Sequence, residues 1–147
     1  YMQAIAAWAE AHDHEFTLRI HAGENRKNLT NVKESLRLAQ QFGMRVRIGH
    51  AAHGLDEEAM AIAEALSAKR LVMIEFNPDS NLALNNIDTA EELDMAKCIN
   101  RDIPFVICSD GGGLFRTDVR QLELAAAFAG VGPNRIASVA QHEADHI

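Results

Sequence analysis

The chain has 147 residues, 48% hydrophobic and 24% charged, with a formal net charge of −7 when histidine is neutral. That is enough apolar material for one globular segment with its own core. The acidic balance disfavours a nucleic-acid or anionic-membrane surface, because phosphates are met by a basic footprint.

The pattern opens in mid-helix, with Ile5, Trp8 and Ala9 at helical spacing and no initiator Met. That opening predicts a piece of a longer chain. The helix gives way to "FTLRIHAG", which alternates and ends in glycine, so it reads as a strand. Next, "NVKESLRLAQQFG" places Val32, Leu36 and Ala39 on one helical stripe, with Gly43 as its stop. "MRVRIGH" is a second strand. "LDEEAMAIAEALSAK" is a helix with Asp56 as N-cap and acidic residues in its first turn. "LVMIEFNP" is a third strand, and "DTAEELDMAKCINRD" reads as one helix capped by Asp88 or Thr89. "PFVICSDGGG" is a fourth strand. Two helices, residues 118–130 and 133–147, close the chain, the second with Pro133 in its first turn.

Short apolar strands alternating with helices predict an α/β fold with a parallel sheet and helices outside. The two cysteines, Cys98 in a helical pattern and Cys108 in an apolar run, read as buried thiols rather than a disulfide. That predicts a cytoplasmic protein. No run approaches a membrane span and no signal peptide is visible.

The strand ends carry the chemistry. The first ends in "HAGE", with His21 and Glu24, and the second in "GHAAHG", with His50. The third ends in "EFNPDSN", with Glu75, Asn77 and Asn81, and the fourth in "CSDGGG", with Asp110. Titratable groups thus recur where each strand meets its C-terminal loop, the edge on which parallel α/β folds and β/α barrels build their sites. Histidine and aspartate are first-row metal ligands, and glutamate is a proton carrier.

Taken together and in this order, "HAGE", "RIGH", "NPDSN" and "SD" resemble the adenosine/AMP deaminase family of the metal-dependent amidohydrolase superfamily. The resemblance runs from about Phe16 to about Leu114. It implies that residues 1–147 form one segment, the C-terminal half of a TIM-type (β/α)8 barrel with about four βα units, completed by an N-terminal half that carries a further HxH pair. It implies zinc-dependent hydrolytic deamination of a purine nucleoside or nucleotide. By the same resemblance, His21 and Asp110 correspond to Zn²⁺ ligands and Glu24 to the acid that protonates the purine ring. His50 corresponds to the histidine that orients the hydroxide on the metal. Gly23 would bring its backbone N–H close to the purine, and Gly111 stands in the substrate-binding loop.

The sequence departs from the family pattern at three places. The HxH strand is missing, and the local "HDH" (His12, His14) reads as a polar helix exit, with a surrogate ligand pair as the other reading. Gly111 stands where a second aspartate is usual. Because Gly111–Gly113 form an N–H-rich loop able to cradle anions, phosphorylated adenine nucleotides are expected to be better tolerated than in relatives with two aspartates. Asn77 precedes the proline where a cysteine is usual, a change expected to matter little.

Other features take structural readings. Arg19 and Glu75 are expected to form a polar layer inside the sheet, and His53 to be a loop histidine. "HEADH" near the chain end formally matches a zincin signature but has no third ligand after it. With two of the metal ligands, the 147-residue segment alone is expected to bind zinc weakly and to be inactive. It is expected to need the missing half barrel or a second copy as partner. The rival readings are a non-catalytic assembly or regulatory module with a decayed site, or another hydrolase of the same superfamily.

Overall fold

The computed structural model describes residues 1–111. The elements run α1 (Met2–Ala11), β1 (Thr17–Ala22), α2 (Asn31–Phe42), β2 (Arg45–His50), α3 (Glu57–Ser67) and β3 (Val72–Phe76). After these come α4 (Pro78–Ala83), a 3-10 turn (Ala90–Glu92), α5 (Met95–Asn100) and β4 (Phe105–Ile107). The helices expected over 118–130 and 133–147, and the "HEADH" string, lie outside the described residues.

The four strands form one parallel sheet in the order β1-β2-β3-β4. With helices between successive strands, this is a partial (β/α) barrel. Its core lies between the sheet and the helices. Val32, Leu36 and Ala39 of α2, and Ala59, Met60, Ala63 and Leu66 of α3, are buried against Val46, Ile48, Val72, Ile74 and Phe76. Local chemistry sets the helix ends. The Asp56 carboxylate accepts the Ala59 N–H at 2.9 Å at the start of α3, and Gly43 takes the left-handed conformation (φ 61°) that stops α2.

The sheet has two unlike faces. Along β1, Leu18, Ile20 and Ala22 pack toward the core, while Thr17, Arg19 and His21 are exposed on the other side. The strand register aligns His21 with Gly49 of β2, Gly49 with Glu75 of β3, and Glu75 with Val106 of β4. One row lower, Arg19 is aligned with Arg47. Among the described residues, β1 and β4 each keep one unpaired edge.

Two local features differ from the sequence expectation. "PDSNLA" is a short helix, α4, with Pro78 at its first position. Residues 88–102 are not one helix but a 3-10 turn followed by α5. A capping box explains the break: the Glu92 carboxylate turns back to accept the N–H groups of Asp88 (2.7 Å) and Thr89 (3.1 Å). Leu93 then runs extended (ψ 130°) and is buried in the core, so the helix restarts only after it.

Candidate active site

His21 and His50 stand at the C-terminal ends of neighbouring strands. Their rings meet edge to face, with centroids 4.9 Å apart and planes inclined by 77°. His21 leans over Gly49. A Cβ built on Gly49 would lie 3.0 Å from His21 Cδ2 and 3.5 Å from Nε2. The glycine of "RIGH" therefore leaves room for the imidazole. Gly49→Ala should turn the His21 ring and cost about 1 kcal/mol through overpacking. A crystal structure of the variant and its denaturation midpoint check this; an unmoved ring would show that the strands absorb the methyl instead.

His50 reaches His21 through a twist in its own backbone. Strand alternation would send it to the helix side with Val46 and Ile48, but it adopts φ 69°, and Ala51 follows at φ 43°. Two consecutive left-handed non-glycine residues cost of the order of 1 kcal/mol each. Hydrogen bonds hold them in place. The His50 N–H donates to Asn77 Oδ1 at 3.1 Å, and the Ala51 N–H to the carbonyls of Ala22 (3.0 Å) and Gly49 (3.1 Å). The His50 ring is buried, and its Nδ1 has no hydrogen-bond partner among the described residues.

The loop after β1 carries Gly23 and Glu24. Gly23 is left-handed (φ 71°), and a Cβ there would lie 2.1 Å from the His53 carbonyl oxygen, so no other residue fits. Its N–H donates to Asn31 Oδ1 at 3.0 Å, and its carbonyl accepts the His53 N–H at 2.9 Å. A purine contact at the Gly23 N–H would have to exchange with the Asn31 bond. Glu24 is half-buried, and Asp110 is exposed with φ 58°. Both stand on loops leaving the same sheet edge as His21 and His50. Gly111 follows Asp110 in that loop and is partly buried. Neither the Glu24 nor the Asp110 carboxylate makes a hydrogen bond or ion pair among the described residues. No three His, Cys, Asp or Glu side chains among those residues stand close enough to hold a metal ion.

A charged layer spans the row of His21, which holds Glu75, and the row below it, which holds Arg19 and Arg47. Glu75 is fully buried. It accepts Arg19 Nε at 3.1 Å and Arg47 Nε at 2.7 Å, and a second bond from the Arg19 guanidinium. Burial pushes its pKa up, but hydrogen bonds from Arg19 and then Arg47 outweigh this and hold it below the ordinary 4.5. Glu75 also accepts Asn77 Nδ2 at 3.3 Å. The Arg19–Glu75 polar layer is thus present, and the fully buried Asn77 is bonded to it.

His12 and His14 lie at the other end of the strands. The His12 ring stacks on Trp8 at 4.5 Å, and His14 meets the same indole edge-on at 5.8 Å. His12 Nδ1 bonds the Trp8 carbonyl at 2.7 Å. They form the helix exit, not a surrogate ligand pair facing His21. A recess between α1 and the start of β2, lined by Phe16, Phe42 and Met44, is also at that far end. His53 is a loop histidine whose Nε2 bonds the Asn86 carbonyl at 2.8 Å. Among the described residues, no helix is long and apolar enough to cross a membrane.

The chain matches the family model described as adenosine deaminase over residues 1–145. It is 32% identical over 119 residues to an adenosine deaminase-like protein of Drosophila melanogaster, covering 81% of this chain and 32% of that protein. The chain therefore spans about a third of the length of that relative. Among solved structures, it superposes on the Arabidopsis N6-mAMP deaminase MAPDA with a TM-score of 0.74 and 23% identity, over 100% of this chain and 40% of that one. Arabidopsis ADAL complexed with IMP gives a TM-score of 0.72 at 22% identity, over 96% of this chain and 38% of that one. These likenesses carry the partial-barrel fold, and the match across residues 1–145 places this chain in the adenosine deaminase family.

Proposed function

We propose that this chain is the C-terminal half of a (β/α)8 barrel that hydrolytically deaminates a 6-aminopurine nucleotide. The observation that carries the reading is the His21–His50 ring pair at the C-terminal mouth of a parallel sheet, 4.9 Å between centroids, in a chain of the adenosine deaminase family. An N-terminal half barrel would supply the strands that close the two unpaired edges. That the family is generally metal-dependent supports a zinc site here, and so does the local chemistry. His21 presents an imidazole at the mouth with room left by Gly49. Asp110 adds an oxygen donor on the loop after β4, and among the described residues the buried Nδ1 of His50 is left unpaired. These donor types suit zinc. We assign His21 and Asp110 as two of its ligands, the others coming from the N-terminal half. When bound, zinc supplies water activated for attack near neutral pH.

The chain's own residues then divide the remaining work. Glu24, half-buried three residues after His21, donates a proton to the purine ring nitrogen as the 6-carbon is attacked. His50, fixed through its backbone N–H, orients the attacking water. The Asp110–Gly111 turn faces the substrate. The C6 amino group leaves as ammonia, or as methylamine when it carries a methyl group, and an oxygen takes its place. The ADAL relative was crystallised with IMP, a 6-oxopurine nucleotide and the kind of product such a reaction leaves from AMP. A phosphorylated substrate is therefore favoured over a free nucleoside.

The test is ammonia or methylamine release by the full-length, zinc-loaded protein from adenosine, AMP and N6-methyl-AMP. A phosphorylated substrate should exceed adenosine in kcat/KM by about tenfold or more, the discrimination given by one charge-assisted phosphate contact. Preference for adenosine overturns the nucleotide assignment. No release from any of the three overturns deamination.

A further inference from the structure

We propose that Asn77 is a positioning residue that sets His50 and the Asp110 loop against each other; the proposal rests on the deaminase reading above. Asn77 follows β3 and begins α4, yet its side chain does not cap that helix. It reaches sideways to the two neighbouring strands. Its Oδ1 accepts the His50 N–H at the end of β2, 3.1 Å away. Its Nδ2 donates to the Cys108 carbonyl just past β4, 3.3 Å away and two residues before Asp110. The same Nδ2 donates to Glu75 Oε1 at 3.3 Å. One fully buried side chain thus joins the ends of three strands.

The three partners dictate the residue. The His50 N–H can only donate, while the Glu75 carboxylate and the Cys108 carbonyl can only accept. A primary amide offers an acceptor on one side and donors on the other, and its orientation is fixed by partners that cannot exchange roles. Aspartate keeps the bond to His50 and turns a second acceptor toward Glu75 and Cys108. Alanine abandons all three partners.

The geometry gives the amide its function. His50 lies at φ 69°, out of line with its strand, and its ring direction follows from where its backbone is held. Asn77 Oδ1 is the group that holds its N–H. Glu75 is itself fixed by Arg19 and Arg47, so the hub stands on a rigid charged base. The bond to Cys108 gives the Asp110 loop the same base. Groups that orient the residues around a metal commonly change activity by about 10- to 100-fold when removed.

The experiment uses the full-length zinc-loaded protein and its Asn77→Asp and Asn77→Ala variants. Three quantities are read: kcat and KM, the melting temperature, and hydrogen exchange of the His50 amide without substrate. Asn77→Ala should speed His50 exchange and lower kcat by about 10- to 100-fold, with KM changed by less than about threefold. Asn77→Asp, nearly isosteric, should keep His50 protected while kcat falls through the lost Cys108 and Glu75 bonds. Wild-type kcat and KM in either folded variant would overturn the proposal, whatever happens to the melting temperature. If Asn77→Ala fails to fold, the Asp variant decides. If the wild type deaminates nothing, the functional reading fails; the exchange measurement still tests the tie, and unchanged His50 protection in folded Asn77→Ala overturns it.

Discussion

Replacing Glu24 with glutamine in the full-length protein should reduce kcat by about 10²- to 10⁴-fold, the range of a general acid–base contribution, while zinc content stays at the wild-type level. The two side chains have nearly the same volume, and Glu24 makes no hydrogen bond or ion pair among the described residues, so the substitution breaks none there. The amide cannot give up and regain a proton through the cycle. Asp110→Asn should behave differently, lowering zinc content and turnover together, because it removes the charge of an assigned ligand. Metal analysis beside steady-state kinetics separates the two patterns. Unchanged turnover in Glu24→Gln would make Glu24 a structural residue and move the proton donor elsewhere.

Most of the sheet was legible in the sequence because its signals are local. Each strand is a short apolar run ending at a polar or glycine-rich turn, and each long helix shows a 3.6-residue stripe, as in Val32, Leu36 and Ala39. Parallel pairing of successive strands then places His21 and His50 at the C-terminal ends of neighbouring strands. What local pattern could not carry was the direction of the His50 ring, which depends on a left-handed φ of 69°, and the role of Asn77. Its bonds to His50 and Cys108 span 27 and 31 residues, beyond any window of periodicity. The α4 helix has a usable signal in Pro78 followed by Asp79, but the apolar run "LVMIEFNP" reads as a strand through Pro78. The "DTAEELDMAK" stretch has the composition of one helix. Only the turn of Glu92 back onto Asp88 and Thr89 splits it. The loop beyond Gly111, on which the phosphate expectation leaned, lies outside the described residues.

The charged layer around Glu75 should control stability as a function of pH. Glu75→Gln keeps the shape of the side chain and removes the counter-charge of two arginines. Breaking a buried ion pair by deleting one partner costs about 3–5 kcal/mol. Arg47 remains partly solvated and Arg19 is about half exposed, so the lower end, about 3 kcal/mol at pH 7, is expected. Because the Glu75 pKa is lowered in the folded state from 4.5, its contribution is fully present above the unfolded value. It is lost as pH falls from about 4.5 through the lower folded value. Denaturant midpoints of the full-length wild type and variant should therefore differ most near neutrality and converge in acid. The same substitution removes the group that fixes the Asn77 amide, so kcat should fall even where the variant is fully folded. A variant within about 0.5 kcal/mol of wild type at pH 7, with the same acid dependence, would mean that solvent already neutralises the two arginines and that Glu75 is no anchor for the site.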